Sequence, residues 1–290
     1  TFDLQSESVA VDLSGTAAET KTTAGTITLT GNNGFTGGFT LSLGTVLIGT
    51  DTALGNGALA LNGGVLASNA TVAAAGARSI ANNLTIGGNV TLGNGTNTGV
   101  LTFGGTVDLG AATRTLTTDS DVTMSGVISN GALTKAGAGT LTLSGLNSYA
   151  GLTTVTAGTL VTTGAGLLAN TAGISISSGA TIKLQGSETL NSIANSGTLT
   201  LDGAGVVLTL GTNNVAMTLA GLTNGTGSIV KNGTASLTIG SAATNAYTGG
   251  FTLNSGNLYA ASNSAFGTGR LTITGGILSS DSSTARTFAN

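Results

Sequence analysis

The chain has 290 residues, of which 49 are glycine, 7 % are charged and 3 % aromatic, with no proline, cysteine, histidine or tryptophan. Without cysteine there are no disulfides and no thiolate chemistry, and with histidine also missing, zinc, haem and iron–sulfur centres lose their usual ligands. Four lysines and four arginines lie scattered, which leaves no basic patch for nucleic acid; 40 % hydrophobic residues at a net charge of −3 also exclude the sparse, highly charged composition of a disordered chain.

The first residue is Thr1 and no leader-like segment follows, so the chain is expected to be a mature product or an excised piece. No apolar run approaches the roughly 20 residues of a membrane helix. Thr26-Ile27-Thr28-Leu29-Thr30 sets Ile27 and Leu29 on one face and threonines on the other. Thr140-Leu141-Thr142-Leu143, Thr198-Leu199-Thr200-Leu201-Asp202 and Leu271-Thr272-Ile273-Thr274 repeat that alternation, the mark of half-buried strands. Threonine favours the open face of a strand through its branched Cβ. The alanine-rich stretch 71–77 is too short and too close to glycine to predict a helix. Turns are written in Asn33-Gly34, Asn56-Gly57, Asn130-Gly131, Asn224-Gly225 and similar pairs, residues that accept positive φ.

Residues 21–41 return as 135–155 and again as 231–253, each copy opening on a lysine: Lys21, Lys135, Lys231. Self-similarity on this scale signals a repeat architecture whose units cannot bury an apolar face alone. A second module, 53–64 followed by 77–82, reappears as 265–276 followed by 285–290. After Asn82 the first copy runs on as Asn83-Leu84-Thr85, and Phe2-Asp3-Leu4 has the same alternation. Two expectations follow: a longer covalent array, or subunits stacked end to end through open strand edges.

Gly137, Gly139, Thr140, Leu141, Thr142, Leu143, Gly145, Asn147, Tyr149, Gly151, Thr153, Val155, Gly158 and Leu160 resemble the passenger-associated, autotransporter-type β-strand repeat. Residues 26–46 and 237–258 are similar but looser: Phe35 stands for the tyrosine in one, and the corner 241–245 is longer in the other. The resemblance implies a right-handed parallel β-helix on large bacterial surface or secreted proteins that serve as adhesins, stalks or fibres. Autotransporters export such passengers through an outer-membrane barrel, and these residues show none of a barrel's aromatic girdles.

Chemistry is harder to find. Asp119-Ser120-Asp121 is the tightest ionisable cluster; period two puts both carboxylates on one side, as a calcium site or an acid/base pair would need, or as a solvated turn would also show. Asp3 and Glu7 are a weaker pair. Arg78, Arg114 and Arg286 share a local Ala/Thr-Arg-Ser/Thr pattern that suits bracing of a loop more than binding of acidic sugars. No Ser-His-Asp set, phosphate loop or calcium nonapeptide is present. Threonine arrays could order water as an ice-binding face, with strand propensity as the plainer account. The sequons at Asn69, Asn83, Asn89, Asn94, Asn224 and Asn232 read as turn chemistry. No catalytic, cofactor or metal residue is assigned.

The reading that emerges is all-β: one continuous right-handed β-solenoid over 1–290, with no separate helical domain. At about 20 residues and 4.8 Å per coil it makes roughly 14 coils and a rod on the order of 70 Å. Leucine, valine, isoleucine and alanine would line the inside; threonine, serine and asparagine the outside. Function is expected to be non-enzymatic: an extracellular fibre or stalk element at the bacterial surface, partnered by itself head to tail or by continuation of the same array. The alternatives are an adhesin passenger, with host-cell or matrix glycans as partners, and a polysaccharide-degrading β-helix enzyme. Neither nucleic acid nor membrane insertion is expected.

Overall fold

The computed structural model of the chain describes residues 1–5, 7–69, 76–168, 172–240, 244–281 and 284–290. Positions 71–75 of the alanine-rich stretch and 241–243 of the longer corner lie outside the described residues. Among the described residues there is no helix, and the chain divides into two compact units, Thr1–Tyr149 and Ala150–Asn290. In each unit short strands pair in parallel with the strand one coil away, which makes a β-solenoid.

In the first unit, alternation decides what points inward. One stack runs through Phe2–Asp3, Glu19–Lys21, Phe39–Leu41, Leu59–Leu61 and Leu84–Ile86. Its register aligns Phe2, Glu19, Phe39, Leu59, Leu84 and Val107 in one inward column. A second stack aligns Ile27, Val46, Leu66 and Leu92, and a third aligns Arg78, Leu101, Val122 and Leu141. Threonine and serine fill the outward positions between them, as in Ser79, Thr102, Thr123 and Thr142. Each fully buried leucine contributes about 1.5–3 kcal/mol, so stability is spread over many coil contacts. Strands Val107–Thr118 and Ile128–Ala136 continue round a corner, with positive φ at Gly110, Ala111, Asn130 and Gly131 and a shift in register there.

The second unit repeats the scheme with three stacks. Val155, Ile176, Asn195, Leu219, Ile239 and Ala260 form one inward column. Glu188, Leu208, Ile229, Phe251 and Leu271 form another, and Leu160, Ile182, Leu199 and Thr223 the third. At Gly145 in the first unit, a Cβ would overlap the Gly126 carbonyl of the neighbouring coil. The repeat's glycine is thus required by close stacking of backbones rather than by its φ.

The interior is not purely aliphatic as the alternation suggested. Lysine, glutamate and asparagine are also buried, because the corners of a tight coil leave backbone groups that no strand ladder satisfies.

Candidate functional site

The three lysines that open the repeats are the most distinctive buried groups. Lys21, Lys135 and Lys231 are each 0 % exposed. Their stacked neighbours are leucines: Leu41 beside Lys21, Leu116 beside Lys135, and Leu210 and Leu253 on the two sides of Lys231. The stem fills a leucine's place while the ammonium turns toward backbone carbonyls of the following corner. Lys21 Nζ donates to the Thr23 carbonyl and, at 2.8 Å, to Thr23 Oγ1. Lys135 Nζ donates to the carbonyls of Ala136 (2.9 Å) and Gly137 (2.8 Å). Lys231 Nζ donates to the Asn232 carbonyl and to those of Gly233 (2.9 Å) and Ser255 (3.5 Å). Burial lowers the pKa of all three, to about 8 at Lys135, where Asp119 and Asp121 act in the opposite sense. The remaining lysine behaves differently: Lys183 lies at the surface, 3.0 Å from Asp202.

Further along each copy a buried asparagine ties coils together. Asn33 Oδ1 accepts from Leu13 N (2.8 Å) and its Nδ2 donates to Ala53 O (2.6 Å). Asn245 Oδ1 accepts from Thr223 N (2.8 Å) and its Nδ2 donates to Ala265 O (3.4 Å). Asn147 Oδ1 accepts from Ile128 N (2.9 Å). Two residues on, the aromatics Phe35, Tyr149 and Tyr247 are buried at the same corner. The Tyr247 hydroxyl donates to Ala265 O (3.3 Å), and burial pushes its pKa up. Packing at a corner, expected from the repeat position, is what these rings do.

The residues singled out for chemistry are engaged locally. Asp119 and Asp121 flank a bend before strand Val122–Met124, both exposed, with Ser120 buried between them. Asp121 Oδ1 accepts from Thr140 N (2.9 Å). Arg78 donates to Ala77 O (2.9 Å) and Ile48 O (3.4 Å), Arg114 to Leu109 O (3.0 Å), and Arg286 pairs with Asp281 at 2.9 Å. Asp3 accepts from Thr22 N (3.1 Å) and Thr22 Oγ1 (2.6 Å); the hydroxyl bond holds its carboxyl below the usual range. Among the described residues no three of His, Cys, Asp and Glu gather as a metal site would require. The hydroxyl rank Ser79, Thr102, Thr123, Thr142 is regular, but the outward residues two positions before each, Ala77, Val100, Asp121 and Thr140, are mixed. A two-rank threonine face is not formed there.

Sequence reasoning missed two acids. Glu188 is buried; its Oε1 accepts from Leu167 N (3.0 Å) and its Oε2 from Leu168 N (3.1 Å). Burial pushes its pKa up to about 7 against the pull of those two amides. Glu19 is buried in the column between Phe2 and Phe39, and burial raises its pKa as well. Ser187-Glu188-Thr189 and Ala18-Glu19-Thr20 carry no sequence signal of burial. The lysines carry a signal of repetition, since each opens a repeat copy, but none of burial.

Residues 20–48, 133–161 and 229–260 match the family model of the passenger-associated-transport-repeat. The chain carries three passenger repeats. Each matched segment carries a buried lysine, then a buried asparagine, then a buried aromatic two residues on, and the lysine and asparagine of every copy bond to backbone. No curated protein and no solved structure matches the chain. The repeats, with the parallel solenoid that holds them, are similar to those of autotransporter-type passengers, the matched segments covering less than half of the chain.

Proposed function

We propose that this chain is a non-catalytic structural element, a stalk or fibre segment displayed outside the bacterial cell. The observation that carries the reading is the use of each repeat's buried polar set. The lysine and asparagine of each copy, and the Tyr247 hydroxyl, bond to backbone of their own or the adjoining coils, while Phe35 and Tyr149 are buried at the same corner. The Asp119 and Asp121 carboxylates, the best acid/base pair in the sequence, stand beside the turn that Lys135 closes.

The partner in this reading is a further coil, from a second copy or from continuation of the same array. Strands Leu271–Ile273 and Ile277–Ser280 are paired on one side only among the described residues. Their counterparts in the duplicated module, Leu59–Leu61 and Val65–Ser68, carry Leu84–Ile86 and Val90–Leu92 on the other side. Leu61 is consequently 0 % exposed while its counterpart Ile273 is 49 % exposed. Phe2 is 63 % exposed and begins the column that Leu59 continues. An unpaired apolar edge of this kind is a template for strand addition. Electron microscopy of the purified chain over a concentration series tests the reading. Filaments that lengthen with concentration support it; dispersed particles that adhere to cells would replace it with an adhesin.

A further inference from the structure

The duplicated module builds the same frame twice, once in each unit. In the first unit, Asn82 Nδ2 donates to the carbonyls of Gly55 (3.0 Å) and Gly57 (2.6 Å), and Ser79 N donates to Asp51 Oδ1 (3.1 Å). In the second, Asn290 Nδ2 donates to the carbonyls of Gly267 (3.3 Å) and Gly269 (2.6 Å), and Thr287 N donates to Asn263 Oδ1 (3.3 Å). Both frames border a surface cleft. The first, about 270 Å³, is lined by Asp51, Thr52, Asn56, Gly57, Asn82 and Asn83 among others. The second has Asn263, Ser264 and Thr268 at the positions of Asp51, Thr52 and Asn56.

The first cleft is held rigid by groups other than those it offers to solvent. Asn82 and one oxygen of Asp51 are engaged by backbone. Asp51 Oδ2, the Asn56 side-chain amide and Asn83 Nδ2 make no hydrogen bond among the described residues. The cleft therefore presents a carboxylate acceptor, an amide that both donates and accepts, and an amide donor. No cationic side chain lines it, which disfavours phosphate and sulfate. No aromatic lines it either, which disfavours flat apolar ligands. Adjacent hydroxyls of a sugar ring donate to a carboxylate and accept from an amide, so they match this set. Its volume is just below the range of about 300–1,000 Å³ that holds drug-sized ligands, a size that suits one ring. The second copy keeps amide and hydroxyl chemistry after losing the carboxylate, as a sugar site can and a cation site cannot.

We propose that the Asp51–Asn56–Asn83 cleft is a subsite for a single pyranose ring of a glycan. It goes beyond the structural role above and does not depend on it. The test is a titration of the isotope-labelled full chain with methyl glycosides of glucose, galactose, mannose and N-acetylglucosamine, followed by amide chemical shifts. At least one sugar should give saturable shifts confined to residues 51–58 and 81–83, with a millimolar Kd. Asn56→Ala, at an exposed side chain without partners, should weaken it by about 10-fold, the loss of one good hydrogen bond; Asp51→Ala should weaken it at least as much. Absence of saturable shifts in the cleft for all four sugars overturns the proposal. So does sugar binding that Asn56→Ala leaves unchanged, or calcium chloride moving the same amides where the sugars do not.

Discussion

Asn33→Ala isolates the coil-to-coil polar contact of the passenger repeat. Asn33 is 2 % exposed and joins two neighbouring segments, through Leu13 N at 2.8 Å and Ala53 O at 2.6 Å. Removing the side chain deletes two hydrogen bonds worth about 1 kcal/mol each net and leaves a donor and an acceptor unpaired, for a total of about 2–4 kcal/mol. At roughly 2–4 °C per kcal/mol for a unit of this size, the melting midpoint of the first unit should fall by about 4–16 °C. The neighbouring Asn32 is the control. It is exposed, and among the described residues its side chain accepts only from Thr52 Oγ1 at 3.3 Å, so Asn32→Ala should cost less than about 0.5 kcal/mol. Thermal unfolding by circular dichroism gives the magnitude, and amide hydrogen exchange at Leu13 gives the mechanism, since that N–H loses its acceptor. Equal midpoints for the two variants, with Leu13 still protected, would refute the claim that the buried asparagine clamps adjacent coils.

Three further outcomes follow from the buried ionisable and phenolic groups. Glu188 binds its proton more tightly folded than unfolded, so its contribution to stability is present in full below about pH 4.5 and is lost as pH rises through about 7; the size is about 3 kcal/mol. Glu188→Gln should flatten denaturant midpoints across that window, and an unchanged slope would exclude Glu188 as the cause. Lys135 has the opposite sense: between about pH 8 and the ordinary lysine value near 10.4 the unfolded chain holds the extra proton, so stability rises with pH. Lys135→Met should lack that alkaline rise in urea titrations, while a rise kept by the variant would assign it to other groups. Tyr247→Phe should lower stability by about 1 kcal/mol through loss of the bond to Ala265 O, and a neutral result by calorimetry would mean the hydroxyl contributes nothing net.

Much of the fold was legible in the linear chain because a parallel solenoid is governed by a local rule. Alternation of Ile27 and Leu29 with threonine sets an inward and an outward face, and the returning segments at 21, 135 and 231 declare that faces must stack. The corner aromatics could also be placed, since Phe35, Tyr149 and Tyr247 share one repeat position. The polar interior was not legible. A lysine at a strand end reads as solvent-facing until the neighbouring leucines show the column it occupies. Glu188 reads as an outward strand residue until the amides of Leu167 and Leu168, a full coil away, are seen to point at it.

Taken alone, the sequence determined that the chain is all-β, repetitive, free of cysteine and histidine chemistry, and patterned to bury one side of every strand. Only the tertiary structure decided which polar groups share that buried side and what they bind. Periodicity is a property of neighbours along the chain. Burial of lysine, asparagine or glutamate depends instead on unpaired backbone groups supplied by the adjacent turns and coils, and those meet the side chains only once the coils are wound.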